Sequence, residues 1–219
     1  MKQAILYVAL ISAFFLSFCK KHKEEVAPEE MPAITYNNYS ALKVGNYWIY
    51  DVYEVDSLGN ATPVNVYDSC YVQKDTLINN RTYFKVYRPN YAQGNGFLYV
   101  RDSLHYIVDA SGMIVFSSLD FSTTFNTFYL LMQPNDTFYV AVSKMEHKDK
   151  LISMPAGSFN ASDFKTAYTF ADFPQGGYMK NRSTVTYYAR GIGVVYETLT
   201  FFTAYPFQKE RRLVRYHIG

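Results

Sequence analysis

The chain has 219 residues with 21 Lys and Arg against 19 Asp and Glu, a formal net charge of +2 that falls to +1 when residues 1–18, which hold only Lys2, are removed. That near balance excludes the clustered basic face of a nucleic-acid-binding protein; the dense basic groups are Lys20–Lys23 and Lys209–Arg212, the second read as a solvated hairpin edge. Aromatic content is skewed to 22 Tyr and 17 Phe against one Trp, which suits half-buried strands, where a tyrosine ring packs while its hydroxyl stays wet.

The first element is a leader. Lys2 supplies a short positive region, Ala4 to Phe18 is almost wholly apolar, and the run stops at Cys19-Lys20-Lys21-His22-Lys23. A membrane-spanning helix needs about 20 apolar residues, so this run is a processing signal and not a span. Leu16-Ser17-Phe18-Cys19 resembles the lipobox at which a bacterial lipoprotein precursor is cut and acylated. Phe18 departs from the small residue usual there, a position that lipoproteins of Bacteroidota commonly relax. Two fates are left open, lipidation at Cys19 and simple cleavage. Lipidation would anchor the chain through about 0.8 kcal/mol per buried CH₂, with more than one acyl chain needed for stable anchoring.

Residues 19–40 are polar, charged and proline-bearing, and are expected to be a flexible tether. A coil of that length has an end-to-end distance of roughly 25 Å and reaches about 65 Å when straight. Lys23-Glu24-Glu25 resembles the acidic export signal of surface lipoproteins of Bacteroidota, leaving the periplasmic and the surface-exposed face of the outer membrane both open. Cys70 is the second of two cysteines; with Cys19 acylated it has no intramolecular partner and is expected to be a small buried hydrophobe.

Residues 41–219 are expected to form one mainly β domain. Asn46 to Val55 is aromatic and β-branched, Ser57 to Asn60 turns the chain, and Val64 to Lys74 returns. Asp75 to Tyr87 has the form of a hairpin with Asn79-Asn80 at its tip, because asparagine tolerates positive φ. Strands are expected at Phe97 to Asp102, His105 to Asp109 and Met113 to Ser117, with a break at Ser111-Gly112. Asp120 to Met132 is apolar enough for strand or short helix, and its period does not decide. Leu151 to Met154, Phe164 to Phe170, Ser183 to Ala189, Gly193 to Phe201 and Arg211 to His217 complete the pattern. The result is an antiparallel, curved sheet or open half-barrel of about 10–12 strands, since sheets that large curl or close to limit their edges.

Three segments carry a family resemblance. Leu42 to Tyr50 (LKVGNYWIY), Met154 to Phe159 (MPAGSF) and Tyr187 to Val195 (YYARGIGVV) resemble recurring signatures of Bacteroidota outer-membrane lipoproteins, and Asp75 to Tyr87 resembles a hairpin of the same proteins. The resemblance implies an all-β, curved or open-barrel fold distantly like the LolA/LolB class of lipid-handling lipoproteins. It implies no established activity.

Most of these motif residues have a structural reading: Gly45, Gly157, Gly191 and Gly193 at turns or close approaches, Trp48 as a core anchor. A sharper reading has Trp48, Tyr50, Tyr187 and Tyr188 line a concave, aromatic-walled cavity for an acyl chain or other apolar ligand. Asp56-Ser57, Asp68-Ser69, Asp75-Thr76 and Asp102-Ser103 resemble the acceptor motif for O-glycosylation in Bacteroidota, making Ser57, Ser69, Thr76 and Ser103 candidate modification sites; the same pairs are also ordinary turn formers. No nucleophile elbow, zinc-protease motif, phosphate loop or EF-hand loop occurs, and His105, His147 and His217 lack ligand-like spacing. No cofactor, metal or catalysis is expected, though a pair of carboxylates could serve a hydrolase. The expected partners are the membrane, through the N-terminal lipid, and either a hydrophobic small molecule or an envelope protein, the chain then being an accessory or scaffold lipoprotein of a surface glycan-uptake complex.

Overall fold

The computed structural model describes residues 35–90, 94–133, 136–171, 181–199 and 208–219. The leader, the tether up to residue 34 and Cys19 lie outside the described residues. Thr35–Gly219 form one compact unit, in which Tyr39, Ser40 and Ala41 are buried. Asn38 organises this entry: its Oδ1 accepts from the backbone N–H of Ser40 and Ala41, and its carbonyl from Gly191.

The described residues form thirteen strands and no helix. In chain order they are β1 Tyr47–Val55, β2 Ala61–Ile78, β3 Arg81–Asn90, β4 Gly94–Ser103, β5 Tyr106–Asp109, β6 Ile114–Ser117, β7 Asn126–Gln133, β8 Asp136–Met145, β9 Lys150–Met154, β10 Gly157–Phe170, β11 Arg182–Ala189, β12 Gly193–Leu199 and β13 Gln208–His217. One antiparallel sheet runs β6-β5-β4-β3-β2-β1-β13-β12-β11-β10-β8-β7, with β9 paired to β10. Each strand pairs antiparallel with the next in chain order except at β6 to β7 and at β8 to β9, and β1 pairs with β13 to join the two halves. The β2–β3 hairpin turns at Asn79 and Asn80, whose φ values of 49° and 59° are those of a two-residue turn with both residues left-handed.

β8 is the strand that sequence reasoning did not pick out. Thr137 to Val142 is apolar at nearly every position, so no alternation shows, yet in the fold Tyr139, Ala141, Ser143 and Met145 alternate inward. Asp120 to Met132 resolves into a turn followed by β7. Asp120 Oδ1 accepts from the backbone of Ser122 and Thr123 there, an Asx arrangement that competes with regular structure.

The sheet curls into a nearly closed, barrel-like shape. Its end strands, β6 and β7, share no ladder; side chains bridge the gap instead. Asn126 Nδ2 donates to the Ile114 carbonyl at 2.8 Å, and the Ser117 N–H points at Met145 Sδ at 3.3 Å. Phe116, Met145, Tyr39, Ile107 and Tyr188 form the core behind this seam. A second core joins Trp48, Tyr50, Cys70, Val72 and Leu213. The β9–β10 hairpin contributes to it, with the Ala156 N–H donating to the Leu213 carbonyl at 2.9 Å.

Candidate functional site

The interior holds a cavity of about 240 Å³. Strand alternation builds it, because residues two apart share a face. Trp48 and Tyr50 enter from β1, Cys70 from β2, Val86 and Arg88 from β3, Leu98 and Val100 from β4. Ile107, Val115, Tyr188, Val194 and Arg211 close the ring from β5, β6, β11, β12 and β13. The wall is apolar except at the two arginines and a few hydroxyl and carboxyl groups.

Of the four aromatic residues expected together, Trp48, Tyr50 and Tyr188 line this cavity and Tyr187 does not. Tyr188 pairs with Val194, and a bulge then sets Tyr187 opposite Tyr196, so consecutive tyrosines point to opposite faces of the sheet. Tyr187 instead meets Tyr196 edge to face at 5.6 Å. Trp48 Nε1 donates to the Ile192 carbonyl at 2.6 Å, and the Tyr50 hydroxyl donates to the Val194 carbonyl at 2.8 Å. Both polar tips thus bind the β11–β12 region, and the rings are held in place as wall. The Tyr188 hydroxyl makes no hydrogen bond among the described residues; burial pushes its acidity down, against the pull of the Arg88 and Arg211 charges.

The arginines were not anticipated. Arg211, placed by sequence reasoning on a solvated edge, has a side chain only 1% exposed. Arg88 keeps 25% of its side chain exposed, and it lines the cavity. Both guanidinium groups engage one carboxylate, that of Glu197. Arg211 also lies 3.6 Å from Asp68 Oδ2, donates to the Pro89 carbonyl at 3.4 Å, approaches Cys70 Sγ at 3.6 Å and sits over the Tyr50 ring. Its Nε is buried without an acceptor, and Asp68 Oδ2 and Glu197 Oε2, although in ion-pair range of Arg211, lack hydrogen-bond geometry. Burial raises the pKa of the Asp68 carboxyl despite the neighbouring Arg211. Burial and the Arg211 charge together lower that of Arg88, which stays protonated because arginine does not lose its proton in proteins. The sequence does carry a signal for both: Arg88 shares its parity with Phe84 and Val86, and Arg211 shares its own with Leu213, so each is a charge at an inward position.

Apart from Cys70, which is part of the cavity wall, the histidines His105 and His147, the carboxylates beside His147 and the candidate glycosylation hydroxyls fall outside the cavity. His147 Nδ1 lies 3.1 Å from Asp163 Oδ1 and 3.9 Å from Glu146 Oε2, a trio that could supply metal ligands. Its members are already engaged, since Asp163 Oδ1 accepts the His147 backbone N–H at 2.7 Å and Glu146 pairs with Lys165 at 2.9 Å. That lysine lowers the pKa of Glu146. His105 Nδ1 meets Ser117 Oγ at 3.1 Å, but this hydroxyl is fully buried and accepts from the backbone of Leu119 and Asp120. It is a turn anchor and not a nucleophile. Cys70 is a free, buried cysteine whose thiol pKa is raised by that burial. Of the four hydroxyls proposed for glycosylation, Ser57 is exposed in the β1–β2 turn and Ser69 exposed within β2, while Thr76 and Ser103 are half-buried in strands.

No family model matches the sequence, and no curated protein matches it. Two crystal structures are similar. One is a candidate exported protein with a YmcC-like fold from Bacteroides fragilis, 12% identical, with 83% of this chain and 99% of that chain covered at a TM-score of 0.46. The other is a candidate lipoprotein from Parabacteroides distasonis, 12% identical, with 84% of this chain and all of that chain covered at a TM-score of 0.44.

Proposed function

We propose that this protein is an exported, lipid-anchored binding module of the outer membrane whose barrel interior takes up a hydrophobic small molecule. The observation that carries this reading is the cavity of about 240 Å³, apolar over most of its wall. Apolar surface left unburied forgoes about 25 cal/mol per Å², so packing would cover this wall if stability alone shaped the barrel. Ligand sites combine a mostly apolar wall with a few polar groups that fix orientation, the composition found here. Its volume also bounds the ligand. A cavity of about 150 Å³ holds benzene, so this one suits a ring with a short substituent or a short chain, and not a whole diacyl lipid. The lipid anchor at Cys19 rests on the leader and the lipobox-like Leu16 to Cys19.

The chain contains a single tryptophan, Trp48, and it lines the cavity. Titration of the full chain with 1-octanol is expected to shift Trp48 fluorescence saturably. Val100→Phe, which fills part of the space, is expected to weaken that binding by about tenfold or more. A folded chain that shows no saturable change by fluorescence or by calorimetry would overturn the cavity reading. Palmitate labelling of the native chain, lost in Cys19→Ala, checks the anchor; equal labelling of the two would remove it.

A further inference from the structure

We propose that the cavity selects an organic anion, a monocarboxylic acid with an apolar body of about ring size, with its carboxylate at Arg88 and Tyr188 and its body against Trp48, Val100, Ile107 and Val194. This inference rests on the cavity reading and gives it a ligand class. Its basis is an unmet demand for negative charge at one end of an apolar chamber. Arg88 and Arg211 share the single carboxylate of Glu197. The next nearest, Asp68, stands 3.6 Å from Arg211 and is the one whose ionised form burial disfavours. Asp109, also in the lining, has Oδ1 committed to the β5–β6 turn, accepting from the backbone of Ser111 and Met113 at 2.9 Å each. Arg211 retains an Nε–H with no acceptor.

Two like charges in a low-dielectric chamber repel far more strongly than in water, and each further anion placed beside them relieves that repulsion. Arg211 is sealed, so Arg88, with its partly exposed side chain, is the guanidinium a ligand can reach. Arginine donates in a planar fork that matches a carboxylate. Tyr188 adds a hydroxyl donor without a partner among the described residues, on a ring that also forms part of the wall. A neutral amide of the same shape offers a carbonyl acceptor but no charge and no second oxygen for the guanidinium fork, and hydrogen bonds to charged groups contribute roughly 1.5–3 kcal/mol.

The test compares acids with their neutral isosteres on the full chain in phospholipid nanodiscs, read through Trp48 fluorescence against empty nanodiscs and by calorimetry. Octanoate and 3-phenylpropionate are the anionic probes; octanamide and 3-phenylpropanamide are their controls. Each acid is expected to bind about tenfold or more tightly than its amide, and the tighter of the two acids tells an aliphatic from an aromatic ligand. Arg88→Gln is expected to bring the acid-to-amide ratio down to near one. Tyr188→Phe, which keeps the ring and so guards against misfolding of the arginine variant, is expected to lower the ratio by a smaller factor. Acids and amides bound equally by the native chain would overturn the anion selectivity and leave the cavity reading standing. No binding of either by a folded chain would overturn both. An unchanged ratio in folded Arg88→Gln and Tyr188→Phe would remove these residues as the anion's partners.

Discussion

Leu104 is the residue most at odds with its own chemistry. It sits in the turn between β4 and β5 with φ of 57° and 70% of its surface exposed. A left-handed backbone costs an L-residue with a Cβ about 1–2 kcal/mol, and an exposed leucine recovers little of that through packing. Leu104→Gly is expected to raise unfolding stability by about 1 kcal/mol in urea denaturation, with ligand binding unchanged. Gly193 is the opposite case. It has φ of +95°, and a Cβ there would stand 3.2 Å from both the Ser40 carbonyl and the Trp48 ring. Gly193→Ala is therefore expected to cost about 2–3 kcal/mol and to change the Trp48 emission even in the folded protein. Both residues illustrate a limit of sequence reading. A turn is legible in Ser103-Leu104-His105 and in Gly191-Ile192-Gly193, but which residue takes the left-handed conformation depends on the register of the flanking strands.

At the level of elements, most strands were legible because aromatic and β-branched runs are separated by Asn, Gly and Ser turns. β8 was not, since a strand apolar on both faces loses its period. β7 shows why a sheet edge needs protection. It has no charged residue, and Phe128, Tyr129, Leu130, Leu131 and Met132 are exposed in sequence. Register breaks at Leu130/Leu131 and Leu131/Gln133 bend its end, a device that discourages pairing with another edge. Pairs of strands also decided the candidate site. Alternation separates Tyr187 from Tyr188, and the inward parity of β3 and β13 carries Arg88 and Arg211 to the cavity.

For the molecule as a whole, closure and buried charge set the stability. Asn46 ties both ends of the domain together, donating to the Ala41 carbonyl at 2.7 Å and accepting the Gly219 N–H at 3.0 Å. The charge network of Asp68, Arg88, Glu197 and Arg211 has a pH signature. Asp68 has a folded pKa above its ordinary 3.8, so between those two values the folded chain holds more proton than the unfolded one. Its contribution is therefore complete below about pH 3.8 and is lost as pH rises through the folded value. Asp68→Asn removes that loss. Urea denaturation from pH 4 to 8 is expected to show the variant gaining stability relative to the native chain as pH rises; a constant difference would mean that Asp68 ionises as easily folded as unfolded.

The amino-acid sequence by itself determined the class of fold, most strand positions and the Asn79-Asn80 turn, because these depend on neighbours within a few residues. It also brought Trp48, Tyr50 and Tyr188 forward as residues of interest. The tertiary structure alone decided that the thirteen strands form one nearly closed sheet, that Tyr39, Ser40 and Ala41 are buried with it, and that two arginines from distant strands meet on one glutamate. Arg88 and Arg211 are separated by 122 intervening residues in the chain, and only the curl of the sheet turns their two inward faces toward each other.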